Sequence, residues 1–422
     1  MANDFTKQEL TNFTETLDKF EDQLVLSRNV NKYRTDQTDM ARAHDEIWRL
    51  QPYIMYAEDG MDQSGNFEDK TQLSVKSSIN IFKSANFNLD AKEYRDALQE
   101  NRLGIAAAET LASQVNIAIM NAAANQGSLV VPITTAATGY SDVAECEATF
   151  NEQGVKYFDR YLALSTRDYN GMADNLAARQ TLSGKALTAY EKSSIGEVAS
   201  FDTFKLDYAN YLTAAAPGVA VTMSTLDGAT NYHVPVATVT GVNGVNNVDA
   251  RYQTITTTTN TGIKAGDCFT VAGLEAVHHI TKISTGILKT FRVVSVDSAT
   301  TMTIVPPMTT AQIASPAPSE KQYQNCENTA ASATAAITWL NLVNARVNPF
   351  WVKDALEIIP GKIAVDDSGM AVTRGTTENG IEIVMSKQTG IDGLKTKIRY
   401  DVFFGVNNLC PEMSGIMLFS QT

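Results

Sequence analysis

The chain has 422 residues, 44% of them hydrophobic, and carries 34 Lys and Arg against 47 Asp and Glu for a net charge of −13. That length exceeds one ordinary core, so about two to four compact units are expected, and the acidic balance without a basic stripe argues against a large nucleic-acid footprint. Cysteines at 146, 268, 326 and 410 lack C-x-x-C spacing, the start Met1-Ala2-Asn3-Asp4-Phe5 lacks a signal pattern, and no apolar run approaches the roughly 18 residues that span a bilayer, so a soluble chain in a reducing compartment is expected.

Residues 4 to 28 place Leu10, Phe13, Leu17, Phe20 and Leu24 at alternating three- and four-residue steps, an a/d seam on one face of a helix. The other face is acidic and polar, with Glu9, Glu15, Asp18, Glu21 and Asp22 outnumbering Lys7 and Lys19. Two roles are open for the seam: packing on the chain's own body, as most amphipathic helices do, or docking to another chain.

From Trp48 to Phe82 the pattern shifts to short alternating stretches, Tyr53-Ile54-Met55-Tyr56 and Leu73-Ser74-Val75-Lys76 with Ile79-Asn80-Ile81, around a polar tip at Glu58 to Lys70. This predicts a long β-hairpin with an exposed loop. Asp90 and Glu93 then have capping-box spacing and Leu89 can staple against Tyr94, so a helix is expected from Asp90 to about Gly127. At about 36 residues it would be roughly 54 Å long, and its alanines (Ala106, Ala107, Ala108, Ala112, Ala118, Ala122, Ala123, Ala124) suit close packing. A strand at Leu129 to Pro132 and a mixture of short helices and strands from Ser141 to Tyr211 follow.

Pro217 to about Ala335 is a β-rich body poor in charge and rich in Thr, Val and Gly. It contains strand-length runs at Val236 to Thr240, Thr254 to Thr258, Phe291 to Val296 and Thr301 to Val305. Beyond it Ala333 to Asn344 reads as a helix bearing Ile337, Leu340 and Val343, followed by strands at Glu357 to Ile359, Ile381 to Met385, Lys397 to Phe404 and Gly415 to Phe419. Leaving one mixed fold and returning to it marks a domain inserted into a surface loop.

Catalytic motifs are absent: no P-loop, no G-x-G-x-x-G, no G-x-S-x-G and no H-E-x-x-H occurs. Of the histidines His44, His233, His278 and His279, the adjacent pair would point to opposite faces of a strand, which disfavours a shared metal. Asp366-Asp367 precedes Ser368-Gly369 and reads as a turn. No catalytic, cofactor or metal site is expected, and the chain is expected not to be an enzyme.

Particular segments carry a family pattern in order along the chain: Ile47-Trp48, Asn121 through Gly127-Ser128-Leu129-Val130, Asn247-Val248-Asp249-Ala250-Arg251-Tyr252, Thr261 through Asp267, Ala272-Gly273, Ala345 through Trp351 with Asp354-Ala355, and Phe404-Gly405-Val406-Asn407 with Pro411-Glu412. On these the chain resembles the major coat proteins of short-tailed phages of the P-twenty-two type. The resemblance implies an α+β fold of the Hong-Kong-ninety-seven capsid type with an inserted antiparallel β-barrel. It divides the chain into an N-terminal arm (1–47), an extended hairpin (48–84), a peripheral domain (85–150 and 395–422, with its spine helix at 90–126), an axial domain (151–217 and 336–394) and the inserted barrel (218–335).

The implied function is a capsid subunit assembled in the host cytoplasm into hexamers and pentamers of an icosahedral shell. It would work with a separate scaffolding protein and a portal protein, around double-stranded DNA that it does not read, and without a membrane partner. Leu10, Phe13, Leu17, Phe20 and Leu24 are then candidates for scaffold or subunit docking, and Tyr53, Met55 and Phe67 for a hairpin interface. The inter-capsomer loop falls by position on Thr240, Gly241, Val242, Asn243, Gly244, Val245, Asn246 and Asn247, without the aspartates that relatives use there for charged contacts. Two alternatives are a cellular nanocompartment shell of the same fold and a β-rich carbohydrate-binding or hydrolytic protein. Against the latter, Trp48, Trp339 and Trp351 all lie outside the 218–335 body.

Overall fold

A computed structural model describes the whole chain except residues 1–4, 34–45, 52–53, 65–66, 91, 94–96, 179–188, 190–191, 207, 225–231, 312–315, 330–333, 366–368 and 391–392. In chain order the first elements are α1 (Lys7–Gln23), β1 (Asn31–Lys32), β2 (Glu46–Leu50), β3 (Ser74–Ser78), β4 (Ile81–Asp90) and α2 (Ala97–Gln126). Next come β5 (Leu129–Pro132), α3 (Tyr140–Glu152), β6 (Arg160–Ser165), α4 (Thr166–Ala177), β7 (Glu197–Val198), β8 (Phe201–Leu206) and β9 (Tyr211–Leu212). The insertion holds β10 (Thr222–Ser224), β11 (Thr238–Gly241), β12 (Gly244–Asn247), β13 (Gln253–Thr256), β14 (Cys268–Val277), β15 (Ser284–Val296), β16 (Thr301–Val305), α5 (Pro318–Tyr323), β17 (Cys326–Asn328) and β18 (Thr334–Trp339). The chain closes with β19 (Ala345–Arg346), β20 (Asn348–Val352), β21 (Leu356–Pro360), β22 (Ala371–Thr376), β23 (Glu382–Gly390), β24 (Lys395–Asn408) and β25 (Ser414–Leu418).

Two compact units result: Met1–Ile47 with Ser77–Met120 and Leu356–Asn407, and Trp48–Lys76 with Asn121–Ala355 and Asn408–Thr422. The first is built on a sheet of order β1-β21-β24-β23-β22, in which β4 also pairs with β24 along ten residues, Asp90 opposite Lys395 through Ile81 opposite Phe404. On the part of α2 that belongs to this unit, Ala108, Leu111, Ala112, Val115 and Ile119 are buried. Residues 100–126 of this helix are long and apolar enough to cross a bilayer, contrary to the sequence expectation. Burial of that face is what a core helix of a folded domain requires.

The second unit holds two bodies of sheet. One has the order β5-β25-β20-β6-β8-β7, with the β5–β25 and β6–β8 pairs parallel. Its core gathers Leu129, Val143, Phe150, Leu162, Phe201, Phe350 and Met417, and Phe150 meets Phe350 edge-on at 5.0 Å. The other is the insertion, of order β10-β18-β14-β15-β16-β13. Its end strands meet through a bridge between Met223 and Thr257 and a Thr258 N–H to Thr222 O bond of 2.9 Å, which closes the sheet into an antiparallel barrel. Closure removes the free edges that would otherwise template aggregation. Phe269, Phe291, Val293, Met302, Ile304 and Trp339 fill its interior.

Three expectations change. Ala333 to Asn344 is not a helix: Thr334–Trp339 is strand β18, with Thr338 opposite Thr270 and Ile337 opposite Val271. The spacing of Ile337, Leu340 and Val343 fits a helix, but Ile337, Thr338 and Trp339 complete the barrel's interior and ladder, and tertiary pairing overrides propensity. Among the described residues the spine helix runs from Ala97, and Asp90 belongs to the end of strand β4. Of the expected capping pair, one bond forms, Asp90 N–H to Glu93 Oε2 at 3.1 Å, while Tyr94 lies outside the described residues.

Among the described residues of the extended hairpin, strand pairing is confined to the base, β2 with β3. Ile54 to Asp59 has no regular structure, and Tyr53 lies outside the described residues. By sheet membership, β5 and β25 lie with β6, β8 and β20, while β21, β22 and β23 join β4 and β24. Strand partners far apart in sequence leave no local trace of which sheet they join. His44 and the Asp366-Asp367 pair lie outside the described residues.

Candidate assembly surfaces

The hairpin Thr238–Asn247 is the most exposed regular element of the insertion. β11 and β12 pair antiparallel from Thr238 opposite Asn247 to Gly241 opposite Gly244, and Val242 and Asn243 form the tip. Gly244 has φ +119°, a conformation that L side chains rarely adopt, so the tight reversal depends on glycine there. Thr240 and every residue from Val242 to Asn247 are exposed, Gly241 alone being half-buried, and Val239, Val242 and Val245 present apolar side chains to solvent. A two-stranded ribbon that buries neither face contributes little to its own subunit's stability.

In the extended hairpin loop the tip and the descending limb differ. Met55, Met61 and Phe67 are exposed, Phe67 at 89%. The limb that follows is tied to the insertion: Lys321 pairs with Glu68 at 3.1 Å, Thr71 N–H donates to Gln322 Oε1 at 3.1 Å, and Tyr323 OH donates to Thr71 O at 2.7 Å. Glu68 also accepts from Tyr56 OH at 3.0 Å, and burial with this carboxylate pushes the Tyr56 phenol up to about 12. Arg251 completes the attachment. Its guanidinium grips Asp249 at 2.6 Å and donates to Lys76 O and Asn408 O at 2.9 and 2.8 Å.

On α1 the seam is occupied by the chain's own body. Phe13, Phe20 and Leu24 are buried, Leu17 is half-buried and only Leu10 is exposed. Phe13 stacks on Tyr400 with ring centroids 6.5 Å apart. Thr6 and Glu9 form a reciprocal capping box, with Thr6 N–H to Glu9 Oε2 at 2.7 Å and Glu9 N–H to Thr6 Oγ1 at 3.3 Å. The other Glu9 oxygen pairs with buried Lys387 at 2.5 Å. Asp18 and Asp22 remain on the outer surface.

Sequence reading missed the polar seam of β15. Lys289, 1% exposed, reaches Glu412 at 2.5 Å and Gln153 Oε1 at 3.3 Å. Thr290 Oγ1 donates to Ser128 O at 3.0 Å, and Arg292 donates to Ala124 O and Gly127 O, capping the carbonyl end of α2. The available signal was a Lys and an Arg inside a run patterned as a buried strand. Among the described residues no cluster of His, Cys, Asp and Glu could hold a metal ion.

The family model for "P22 coat protein - gene protein 5" matches residues 1–420. The chain belongs to the P22 coat protein family. It is a bacteriophage major capsid protein, a structural component of the virion that oligomerises with itself into a shell. Among solved structures, this coat protein is similar to one described as Mycobacterium phage Che8, at 10% identity over 93% of this chain and 90% of that one, with a TM-score of 0.41. The CUS-3 coat protein I-domain matches at 37% identity over 29% of this chain and 96% of its own length, with a TM-score of 0.23. A virus-like particle from Pyrococcus furiosus matches at 7% identity over 96% and 98% of the two chains, with a TM-score of 0.38.

Proposed function

We propose that this coat protein closes into an icosahedral procapsid around a separate scaffolding protein and a portal protein, then encloses double-stranded DNA without reading its sequence, and that it performs no catalysis. The observation that carries the reading is the Thr238–Asn247 ribbon, whose exposed apolar side chains serve contact with another copy rather than the subunit's own core. Its interface uses Val242, Val245 and backbone hydrogen bonds, with Asn243, Asn246 and Asn247 as polar partners in place of aspartates. The exposed Met55 and Phe67 extend the hairpin loop across a neighbouring subunit. Weak contacts of this kind add over many copies in a closed lattice.

Scaffold docking uses Leu10 and the acidic outer face of α1 rather than the buried seam, with a basic scaffold segment as the complement. An acidic inner lining would leave packaged DNA untrapped. Coexpression with the adjacent scaffolding gene, followed by electron microscopy, tests the whole reading. Closed shells are expected with the wild-type chain and not with Val242→Asp/Val245→Asp, whose soluble subunit should unfold as wild type. Charge reversal by Asp18→Lys/Asp22→Lys should abolish scaffold-dependent closure while leaving subunit stability unchanged. Wild-type shell yields from both variants would remove these assignments.

A further inference from the structure

Asparagine is followed by glycine at Asn170-Gly171, Asn243-Gly244 and Asn379-Gly380, and the fold treats these pairs differently. An asparagine before glycine can lose its amide without an enzyme, because the next backbone nitrogen can reach the side-chain carbon and no following Cβ crowds the approach. The reaction needs a backbone free to turn that nitrogen onto Cγ. Where hydrogen bonds or packing hold the pair, it waits for local opening.

Asn170-Gly171 lies inside α4, where helical dihedrals fix both residues. The Asn170 carboxamide oxygen also accepts from Lys205 Nζ and Ser193 Oγ, each at 2.9 Å. Gly171 is packed so closely that an added Cβ would meet Ala137 O at 2.9 Å. Asn379-Gly380 is held by other means. Asn379 is 5% exposed, its Nδ2 donates to Ser27 Oγ at 2.8 Å and its Oδ1 accepts from Lys32, while Gly380 N–H donates to Thr377 O at 2.8 Å.

Asn243-Gly244 differs in each respect. Both residues are exposed at the turn of the β11–β12 ribbon, and among the described residues the Asn243 carboxamide has no hydrogen-bond partner. Apart from its chain neighbours, Gly244 has no heavy atom within 4 Å of the place a Cβ would take. The ribbon is a separate two-stranded sheet, so opening its last turn disturbs no core. Asn246 and Asn247 are exposed on the same ribbon, but Asn247 and Val248 follow them and bring side chains that crowd the attack.

We propose that Asn243 is a self-modification site of the free subunit, converting to aspartate and isoaspartate while Asn170 and Asn379 persist. The deprotonated Gly244 nitrogen attacks Asn243 Cγ; an N–Cγ bond forms, the Cγ–Nδ2 bond breaks and ammonia leaves. Water then opens the cyclic imide. Breaking the new N–Cγ bond gives aspartate, whereas breaking the bond from that nitrogen to the backbone carbonyl carbon gives isoaspartate, with the chain running through Cγ. Either product sets a carboxylate between Val242 and Val245, and isoaspartate also lengthens the turn that places Gly241 opposite Gly244. The consequence for assembly rests on the ribbon contact proposed above: a converted copy carries an unpaired charge into that contact, and a seated copy is shielded from conversion.

Peptide mapping by mass spectrometry of the soluble full-length subunit, held at pH 7.5 and at pH 8.5, reads the reaction. Asn243 should convert at least about tenfold faster than Asn170, Asn379, Asn246 or Asn247, and faster at the higher pH because the attacking nitrogen must lose its proton. Equal rates at Asn243 and Asn246, or faster conversion at Asn170 or Asn379, overturns the proposal. Asn243→Gln, whose longer side chain closes the ring far more slowly, should remove the acidic species that accumulates in aged wild type. An undiminished acidic species in that variant overturns the assignment to Asn243. Closed shells incubated beside free subunits separate the chemistry from the contact. With the tip seated, conversion in shells should fall by about tenfold; equal conversion in shells and free subunits removes the ribbon contact and leaves the Asn243 chemistry standing.

Discussion

Two buried ionic clusters, one in each unit, use the same groups with opposite excess charge. In the first unit Glu9 pairs with Lys387 at 2.5 Å while Glu100, 7% exposed, stands close enough for the Glu9 charge to act on it. Burial, then Glu9, push the Glu100 carboxyl up, and Lys387 only partly offsets them. In the second unit Glu412 faces two lysines and a histidine. One cluster therefore carries a surplus carboxylate and the other a surplus of cations. The same length of ion pair thus says little about how a region responds to pH; the unpaired third member decides it.

Removing the shared cation should have the largest effect. Lys387→Met leaves Glu9 and Glu100 facing each other in the interior, and breaking a buried pair in this way costs about 3–5 kcal/mol. Urea titration followed by proteolysis of the α1 segment should show the arm released well before wild type. Lys289→Met should cost about 2 kcal/mol, because Glu412 keeps 31% of its surface in water and retains Lys282 and His279 as partners. A larger loss at Lys289 than at Lys387 would invert the comparison.

Acid should then separate the clusters without any substitution. Glu100, with a raised folded pKa, contributes stability that is fully present below about 4.5 and lost as pH rises through the folded value. Lowering pH through the folded value of Glu100 should slow exchange in the α1 segment, with no such gain at the 410–413 turn, where the Glu412 carboxyl is held low. Parallel changes in both segments would refute the assignment of opposite signs.

How much of this was legible in the sequence depends on how local each signal is. The α1 seam and the strand runs of the insertion stood out, because periodicity and turn residues act over a few positions, whereas the 240–247 loop came by position from the resemblance. Thr6 and Glu9 also have capping-box spacing, although the helix start at Asp90 looked stronger. What stayed hidden was pairing at long range. Nothing near Leu129 points to Gly415, its parallel partner, and nothing near Glu9 points to Lys387. Strand β18 reads as helix for the same reason, since the spacing of Ile337, Leu340 and Val343 fits a helix until Phe269 and Phe291 supply the barrel wall against which Ile337 and Trp339 pack. The resemblance to phage coats implies the function and, by analogy, the domain division.

The smallest expected effect is the most diagnostic of surplus charge. Glu100 Oε1 is buried without a hydrogen-bond partner, and its charge is opposed by Glu9. Glu100→Gln keeps the shape and removes the repulsion, so at pH 7.5 it should stabilise the first unit, by about 1 kcal/mol if the cost is that of one unsatisfied buried polar atom. At pH 4.5, the ordinary value, the raised wild-type carboxyl is more protonated than not, so the advantage should shrink. The converse change in the other cluster, Glu412→Gln, removes the only carboxylate among three basic groups and should destabilise the 410–413 turn at both pH values. If Glu100→Gln destabilises at pH 7.5, Glu100 is held by an attraction rather than strained by a like charge, and the contrast between the two clusters falls with it.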